Sequence, residues 1–294
     1  MSVSFTDYVI IGVVLFAAFV CIFIYSDVIN MGVKINSSYD SFRKSWDAKE
    51  NVSKNVSANG VSTTTVSTTI STTTSTLVVN IMHADGAPSI LFRTYKGDIL
   101  VDCGSNASIM DKMFMNGVGS LRAVFISKLD ASHAGGCSRT MLMIPTSAVF
   151  DSMGTVNASW FKNYNFAIGT KRADMGKKKS YVVGGLVIDI LGRDSNMTLY
   201  HFTFGNFSMV YLGGCGSSCI GGFLEKKYGI YMVDDDVISD EQMLKYMPRG
   251  VIIPGNGNST AGIARKYGIQ VHSMKDDGDL TFTTDGVLVG MAKR

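Results

Sequence analysis

The stretch that most constrains this chain is Ala123-Val124-Phe125-Ile126-Ser127-Lys128-Leu129-Asp130-Ala131-Ser132-His133-Ala134-Gly135-Gly136-Cys137. A run of apolar and β-branched residues ends abruptly in a cluster of short polar side chains, and two glycines and a plausible helix start follow. A buried strand that delivers polar groups at its tip belongs to a sheet covered on its faces, and its chemistry sits at the strand end. Asp130 and His133 are three apart, a spacing that lets both face one metal or one water. Two ligands are fewer than a protein metal site needs, and a lysine ammonium at Lys128 repels a cation unless burial neutralises it.

The rest of the C-terminal part repeats this pattern. Strand-like runs are expected at Leu77–Met82, Ser89–Thr94, Asp98–Asp102, Leu121–Ser127, Tyr181–Leu191, Met197–Phe202, Phe207–Leu212, Gly229–Val233, Gly250–Pro254, Ile269–Met274 and Asp279–Thr284. Helices are expected at Ser108–Met115, Phe223–Tyr228 and Ser259–Tyr267. Turn signals at Asp85-Gly86, Lys96-Gly97 and Thr284-Asp285-Gly286 punctuate the runs. Alternation of this kind indicates a mixed α/β domain.

Upstream, Tyr8–Tyr25 is an unbroken apolar run of 18 residues without charge, near the lower limit for crossing a bilayer. No Lys or Arg precedes it and no small-residue cleavage site follows, so an uncleaved signal anchor is expected over 8–26 after a short segment 1–7. Residues 27–56 read as a polar spacer. Residues 57–76 are a Ser/Thr-rich tract that cannot bury enough apolar surface to offset the entropy of ordering it, and they read as a stalk. The globular domain is placed at 77–294.

Sequons begin at Asn36, Asn51, Asn55, Asn106, Asn157, Asn196, Asn206 and Asn258, and together they favour an exported, glycosylated body. The expected address is therefore the cell membrane, single-pass, with the domain outside. In that compartment Cys103, Cys137, Cys215 and Cys219 are expected to form two disulfides. Three connectivities exist, and the nearest-neighbour guess is Cys103–Cys137 with Cys215–Cys219.

Composition removes several classes. A net charge of +3 is too mild to argue for nucleic acid by itself. Lys171-Arg172 and Lys177-Lys178-Lys179, with Tyr164, Phe166 and Tyr181 nearby, form the only basic cluster with aromatics and give nucleic acid weak support. There is no nucleotide-phosphate loop, no Ser-His-Asp order, and no dinucleotide signature; Gly213-Gly214-Cys215-Gly216 lacks the spacing. His83, His201 and His272 show no ligand spacing and read as satisfied histidines.

At several of these residues the chain resembles metallo-β-lactamase-fold hydrolases of the ComEC competence type. Their signature Ser/Thr-His-x-Asp-x-Asp-His-x-Gly-Gly is matched by Ser127, Asp130, His133, Gly135 and Gly136. Lys128 stands in place of the first His and Ser132 in place of the second Asp. His83 to Leu91 resembles the family's Asp-Val-Gly-Gln-Gly-Asp-Ser-Ile-Leu, and Ile99 to Gly104 its Ile-Leu-Ile-Asp-Thr-Gly. Val210 to Gly214 resembles a strand ending Gly-Asp, with Gly214 at the metal-bridging Asp. Asp234-Asp235-Asp236 falls where the family has His-His-Gly-Ser, and Ala264 to Gly286 reads like its C-terminus.

The resemblance covers Leu77 to about Gly290 and implies an αββα sandwich. It implies a degenerate metal site: Asp130, His133 and Asp235 are the residual ligand positions, and Lys128, Ser132 and Gly214 the replaced ones. The expected function is non-catalytic: binding or surface scaffolding by a tethered domain, with an extracellular polymer or protein as partner and no cofactor. The alternative is a metal-dependent hydrolase of phosphodiesterase or nuclease type, linked to DNA uptake and holding a single zinc or manganese.

Overall fold

Two hairpins begin the first sheet. Strand β1 (Leu77–Ala84) pairs with β2 (Ala87–Thr94) so that Ala84 meets Ala87, and only the Asp85-Gly86 dipeptide lies between them. Strand β2 pairs with β3 (Gly97–Val101) across Tyr95-Lys96. The computed structural model describes residues 75–84, 87–106, 108–174, 180–193, 197–213, 229–233, 238–255 and 258–293. They fall within one of two compact units of the chain, Ser71–Arg294. The expected anchor, spacer and most of the stalk lie outside the described residues. Among the described residues, no helix is long and apolar enough to cross a membrane.

After β3 come helix α1 (Ser108–Met115), β4 (Leu121–Phe125), the short helices α2 (Ala131–Ala134) and α3 (Cys137–Met143), β5 (Val149–Phe150) and α4 (Ser159–Ile168), which runs into a 3₁₀ turn at Gly169–Lys171. The second half carries β6 (Ser180–Val183), β7 (Leu186–Arg193), β8 (Thr198–Phe204), β9 (Phe207–Tyr211), β10 (Ile230–Met232), α5 (Asp240–Tyr246), β11 (Gly250–Ile253), α6 (Asn258–Lys266), β12 (Gln270–Ser273) and α7 (Met274–Asp277). The chain then returns to the first sheet with β13 (Leu280–Thr284) and β14 (Val289–Lys293).

The described strands form two seven-stranded sheets, ordered β14-β13-β1-β2-β3-β4-β5 and β12-β11-β10-β9-β8-β7-β6. Three apolar layers fix how they stack. Between the sheets lie Leu77, Val79, Ile81, Phe92 and Phe125 from one and Tyr200, Phe202, Phe207 and Met209 from the other. Phe92 and Phe202 meet across this layer with ring centroids 4.5 Å apart. On the outer face of the first sheet, Leu91, Leu100 and Val124 pack under Ile109, Met113, Met141 and Phe161. On the outer face of the second, Val210, Tyr231 and Val251 pack under Met243, Tyr246 and Ala264. Strand residues alternate between these layers because successive side chains point to opposite faces. The order is therefore helix, sheet, sheet, helix.

Helix α1 has the bounds expected from sequence, and the strands from β1 to β4 lie within a few residues of theirs. The run Tyr181–Leu191, expected as one strand, is two. Gly184 and Gly185 sit at φ +54° and +85° and reverse the chain between β6 and β7. A Cβ on Gly184 would lie 2.5 Å from Thr94 Oγ1, so a side chain has no room there. The helix expected at Phe223–Tyr228 lies outside the described residues.

Candidate functional site

Strands β3, β4 and β5 run parallel, with Val101 beside Phe125 and Phe125 beside Phe150. Their C-terminal ends therefore deliver Asp102, the Ser127–Asp130 segment and Asp151 along one rim. The pairing outlasts the strands: the Asp102 amide donates to Phe125 O at 2.9 Å and the Ile126 amide to Phe150 O at 2.8 Å. The second sheet closes on the same place. The Thr198 amide donates to Ser127 O at 2.6 Å, and the Tyr200 hydroxyl to Ile126 O at 3.0 Å. Gly213, just past β9, comes so near that a Cβ there would be 2.8 Å from Ser127 Oγ.

Asp102 is wholly buried at this junction. It accepts from the Ser127 amide at 2.7 Å and from the Ser127 hydroxyl at 2.5 Å. Burial is the largest influence on its carboxyl and pushes it up to about 6, against the His133 charge and the Ser127 hydrogen bonds, which favour the ionised form. The sequence places Asp102 at a strand end, at the Asp of the resembled Ile-Leu-Ile-Asp-Thr-Gly, without giving it a role. Its signal was an acid closing the apolar run Ile99-Leu100-Val101, a place where a carboxylate must either ionise in a pocket of donors or stay protonated.

Lys128, Asp130 and His133 do come together, but on one another. Asp130 Oδ1 caps α2 by accepting from the His133 amide at 3.0 Å, and it meets His133 Nδ1 at 2.6 Å. Asp130 Oδ2 lies 3.2 Å from Lys128 Nζ. Burial works to raise the Asp130 carboxyl, yet the bonds and charge of His133, with Lys128 adding less, hold it down to about 2. His133 is buried, whereas Ser132 is exposed on α2. Gly214, Asp235, Cys215 and Cys219 lie outside the described residues.

These pKa shifts act on stability with opposite sign. The Asp102 carboxyl is raised from 3.8 to about 6, so the folded state binds the proton first and gains stability as pH falls through that interval. The Asp130 carboxyl is lowered from 3.8 to about 2, so its contribution is present above the unfolded value and lost as pH falls through the folded one. Urea midpoints are expected to rise from about pH 7 to about pH 5 and to fall again below about pH 4. Asp102→Asn should remove the rise and leave the fall. A rise that survives in the variant would assign it to another group.

Cys103 and Cys137 form a disulfide with Cα atoms 5.0 Å apart. It ties the residue after Asp102 to the first residue of α3. The Cys103 amide donates to His133 O at 2.8 Å and the Gly136 amide to Gly104 O at 2.9 Å. A Cβ on Gly135 would lie 2.4 Å from Ala131 O, and one on Gly136 2.2 Å from Asn106 O. The double glycine is thus what allows segments 103–106 and 131–137 to touch.

The third rim residue, Asp151, has a different surrounding. It accepts from the Tyr164 hydroxyl at 2.7 Å, from Arg172 Nη2 at 2.9 Å and from the Met153 amide at 2.6 Å. Arg193 bonds the carbonyls of Asp151 and Ser152 at 2.9 and 3.1 Å. Tyr164 and Arg172, two members of the basic and aromatic cluster weighed for nucleic acid, are therefore engaged internally. Tyr181 packs against the layer between the sheets, and Phe166 is exposed. Lys177, Lys178 and Lys179 lie outside the described residues.

A metal implied by the family resemblance can be tested against these donors. Asp130 gives one oxygen to an imidazole and the other to an ammonium, and Lys128 as a cation is not a ligand. Among the described residues, no group of three His, Cys, Asp or Glu side chains could hold an ion. The described donors do not fit a metal.

No protein-family model matches the sequence, and no curated protein matches it. Solved structures are similar in overall path. The metallo-β-lactamase fold protein YhfI from Bacillus subtilis is 14% identical, with 67% of this chain and 96% of that one covered and a TM-score of 0.49. Tm1679, a metal-dependent hydrolase of the β-lactamase superfamily, is 10% identical over 74% of this chain and 100% of its own, with a TM-score of 0.48. A diphosphatase from the PhnP family is 9% identical over 68% and 94%, with a TM-score of 0.46.

Proposed function

We propose that this chain is a membrane-tethered, extracellular domain of metallo-β-lactamase type whose metal site is degenerate, and that it acts by binding a surface polymer or protein. The observation that carries the reading is the state of Asp130. A ligand carboxylate must offer an oxygen to the ion, and here both oxygens are engaged by the chain's own His133 and Lys128. An ammonium beside a carboxylate supplies locally the positive charge that an ion would bring, and it does so without a Lewis-acidic centre for hydrolysis. The Cys103–Cys137 disulfide supports the exported address, since such bridges persist in oxidising compartments. The apolar run Tyr8–Tyr25 supports the anchor, and the sequons support glycosylation.

Metal analysis of the purified full-length chain tests this. The expected result is well below one zinc or manganese per chain and no chelator-sensitive phosphodiesterase activity. Restoring the family ligands together, by Lys128→His, Ser132→Asp, Gly214→Asp and Asp235→His, should raise uptake in the same assay. Stoichiometric metal in the wild-type chain, or hydrolysis lost on chelation, would overturn the reading in favour of the hydrolase.

A further inference from the structure

The outer face of the second sheet carries a polar row that the rim site does not use. Asp189 on β7 stands directly opposite His201 on β8, and Ser208 on β9 lies on the same face one diagonal step away, beside Thr203. Side chains so placed on adjacent strands are within reach of one another. His201 Nε2 is 3.0 Å from Ser208 Oγ, and His201 Nδ1 is 3.7 Å from Asp189 Oδ2. Asp189 is fixed from its far side by the Ser180 hydroxyl on β6, 2.5 Å from Oδ1.

The imidazole is 6% exposed and the Asp189 carboxylate 33%, so the ring is sheltered while its flanks reach solvent. With the Asp189 carboxylate on the Nδ1 side, the tautomer protonated at Nδ1 is the one that would leave Nε2 to accept from the Ser208 hydroxyl. The position facing Ser208 on its other side is Gly229, just before β10. A Cβ there would come within 2.8 Å of Ser208 O and 3.8 Å of Ser208 Cβ, so glycine puts no side chain against the serine at that position.

We propose that Ser208, His201 and Asp189 form a serine-nucleophile site that takes a short acyl group from a carboxylic ester. Ser208 Oγ attacks the ester carbonyl carbon while its proton passes to His201 Nε2. The bond from that carbon to the alcohol oxygen breaks, and the alcohol leaves with the proton from His201. Water, deprotonated by the same nitrogen, then releases the acid and restores the serine. Asp189 holds the ring and stabilises the imidazolium, and its 3.7 Å separation is of the loose kind that tightens when substrate is bound. The surroundings favour a small apolar acyl group. Val187 and Thr203 are half-buried in the next row of the face, and Val182 on β6 is 65% exposed. The order Asp189, His201, Ser208 has no local signature, which is why the sequence alone did not display it.

A biotinylated fluorophosphonate, which phosphonylates nucleophilic serines, is the probe. The full-length folded chain should be labelled at Ser208, as mapped by peptide mass spectrometry, and Ser208→Ala should abolish the label. His201→Gln should slow labelling by at least about 100-fold, the ordinary contribution of a general base. Asp189→Asn, a change at a partly exposed position, should keep the wild-type melting curve and still slow labelling. No label on the folded wild-type chain, or labelling of equal rate in Ser208→Ala or in folded Asp189→Asn, would overturn the proposal. These outcomes do not depend on the metal assay above, because the residues are different.

Discussion

Replacing Cys103 and Cys137 together by alanine is expected to cost about 3.5–4 kcal/mol of stability and to lower the melting temperature by about 8–15 °C. The bridge spans a sequence separation of 34 residues, and most of the loss comes from the greater freedom of the unfolded chain. The enclosed segment contains α1, β4 and α2, so the bridge closes a structural unit and not a surface loop. Both half-cystines are wholly buried, so the native state shields them. A reductant should therefore leave the bridge intact under native conditions and open it on warming. Calorimetry of the double variant, with and without reductant for the wild type, measures both effects. A melting point within about 2 °C of the wild type would mean that the loop is held closed by packing alone.

Gly136→Ala is expected to be nearly as damaging, at about 3 kcal/mol or more. The new methyl group would stand 2.2 Å from the Asn106 carbonyl oxygen and 2.4 Å from that of Cys103. Both obstacles are backbone, so no side-chain rotation relieves them. Moving residues 103–106 away would break the 2.9 Å bond from the Gly136 amide to Gly104 O and strain the adjacent bridge. It would also shift Asp102, whose two bonds to Ser127 hold the tip of β4. The expected phenotype is thus a lower melting point together with a changed pH dependence, as the Asp102 pocket loosens. Gly117→Ala is a suitable comparison on steric grounds, since a Cβ there meets nothing within 4 Å, although its φ of +68° adds strain of its own. If Gly136→Ala is no worse than Gly117→Ala, the close approach of the two segments is not what limits this position.

Much of this architecture can be read from residue patterns, and the failures have identifiable causes. The strands of the inner layer announce themselves as runs such as Ser-Ile-Leu-Phe and Ile-Leu-Val, and the cluster from Lys128 to His133 stands out because polar groups follow a buried strand. The residue pattern does not display helix α4, because its polar residues Lys162, Asn163 and Asn165 blur its apolar face and Ala158 at its start provides no side-chain cap. Helix α5 is not among the helices expected above, yet it carries a start signal: Ser239 and Gln242 form a capping box, with the Gln242 amide bonded to Ser239 Oγ at 3.2 Å. Strand β14 carries a glycine and is exposed throughout, so no alternation marks it. At the site, the sequence identified which residues meet but not how. The position of Lys128 suggested repulsion of a metal, whereas the structure places its ammonium against the carboxylate itself.

The place of β13 in the first sheet has a consequence for biosynthesis. Strand β1 is hydrogen-bonded on one side to β2, which follows it at once, and on the other to β13, so that Asn80 meets Thr281 across 201 residues. At ordinary rates of chain elongation, about 10–40 s separate the emergence of these two partners. Throughout that interval one edge of β1 is without its neighbour, and the apolar layer that Leu280 and Phe282 complete stays open. Contacts of such long range also make closure intrinsically slow. The nascent chain therefore offers an uncapped strand edge until β13 is made, and through that interval a chaperone that recognises extended apolar segments has most to protect.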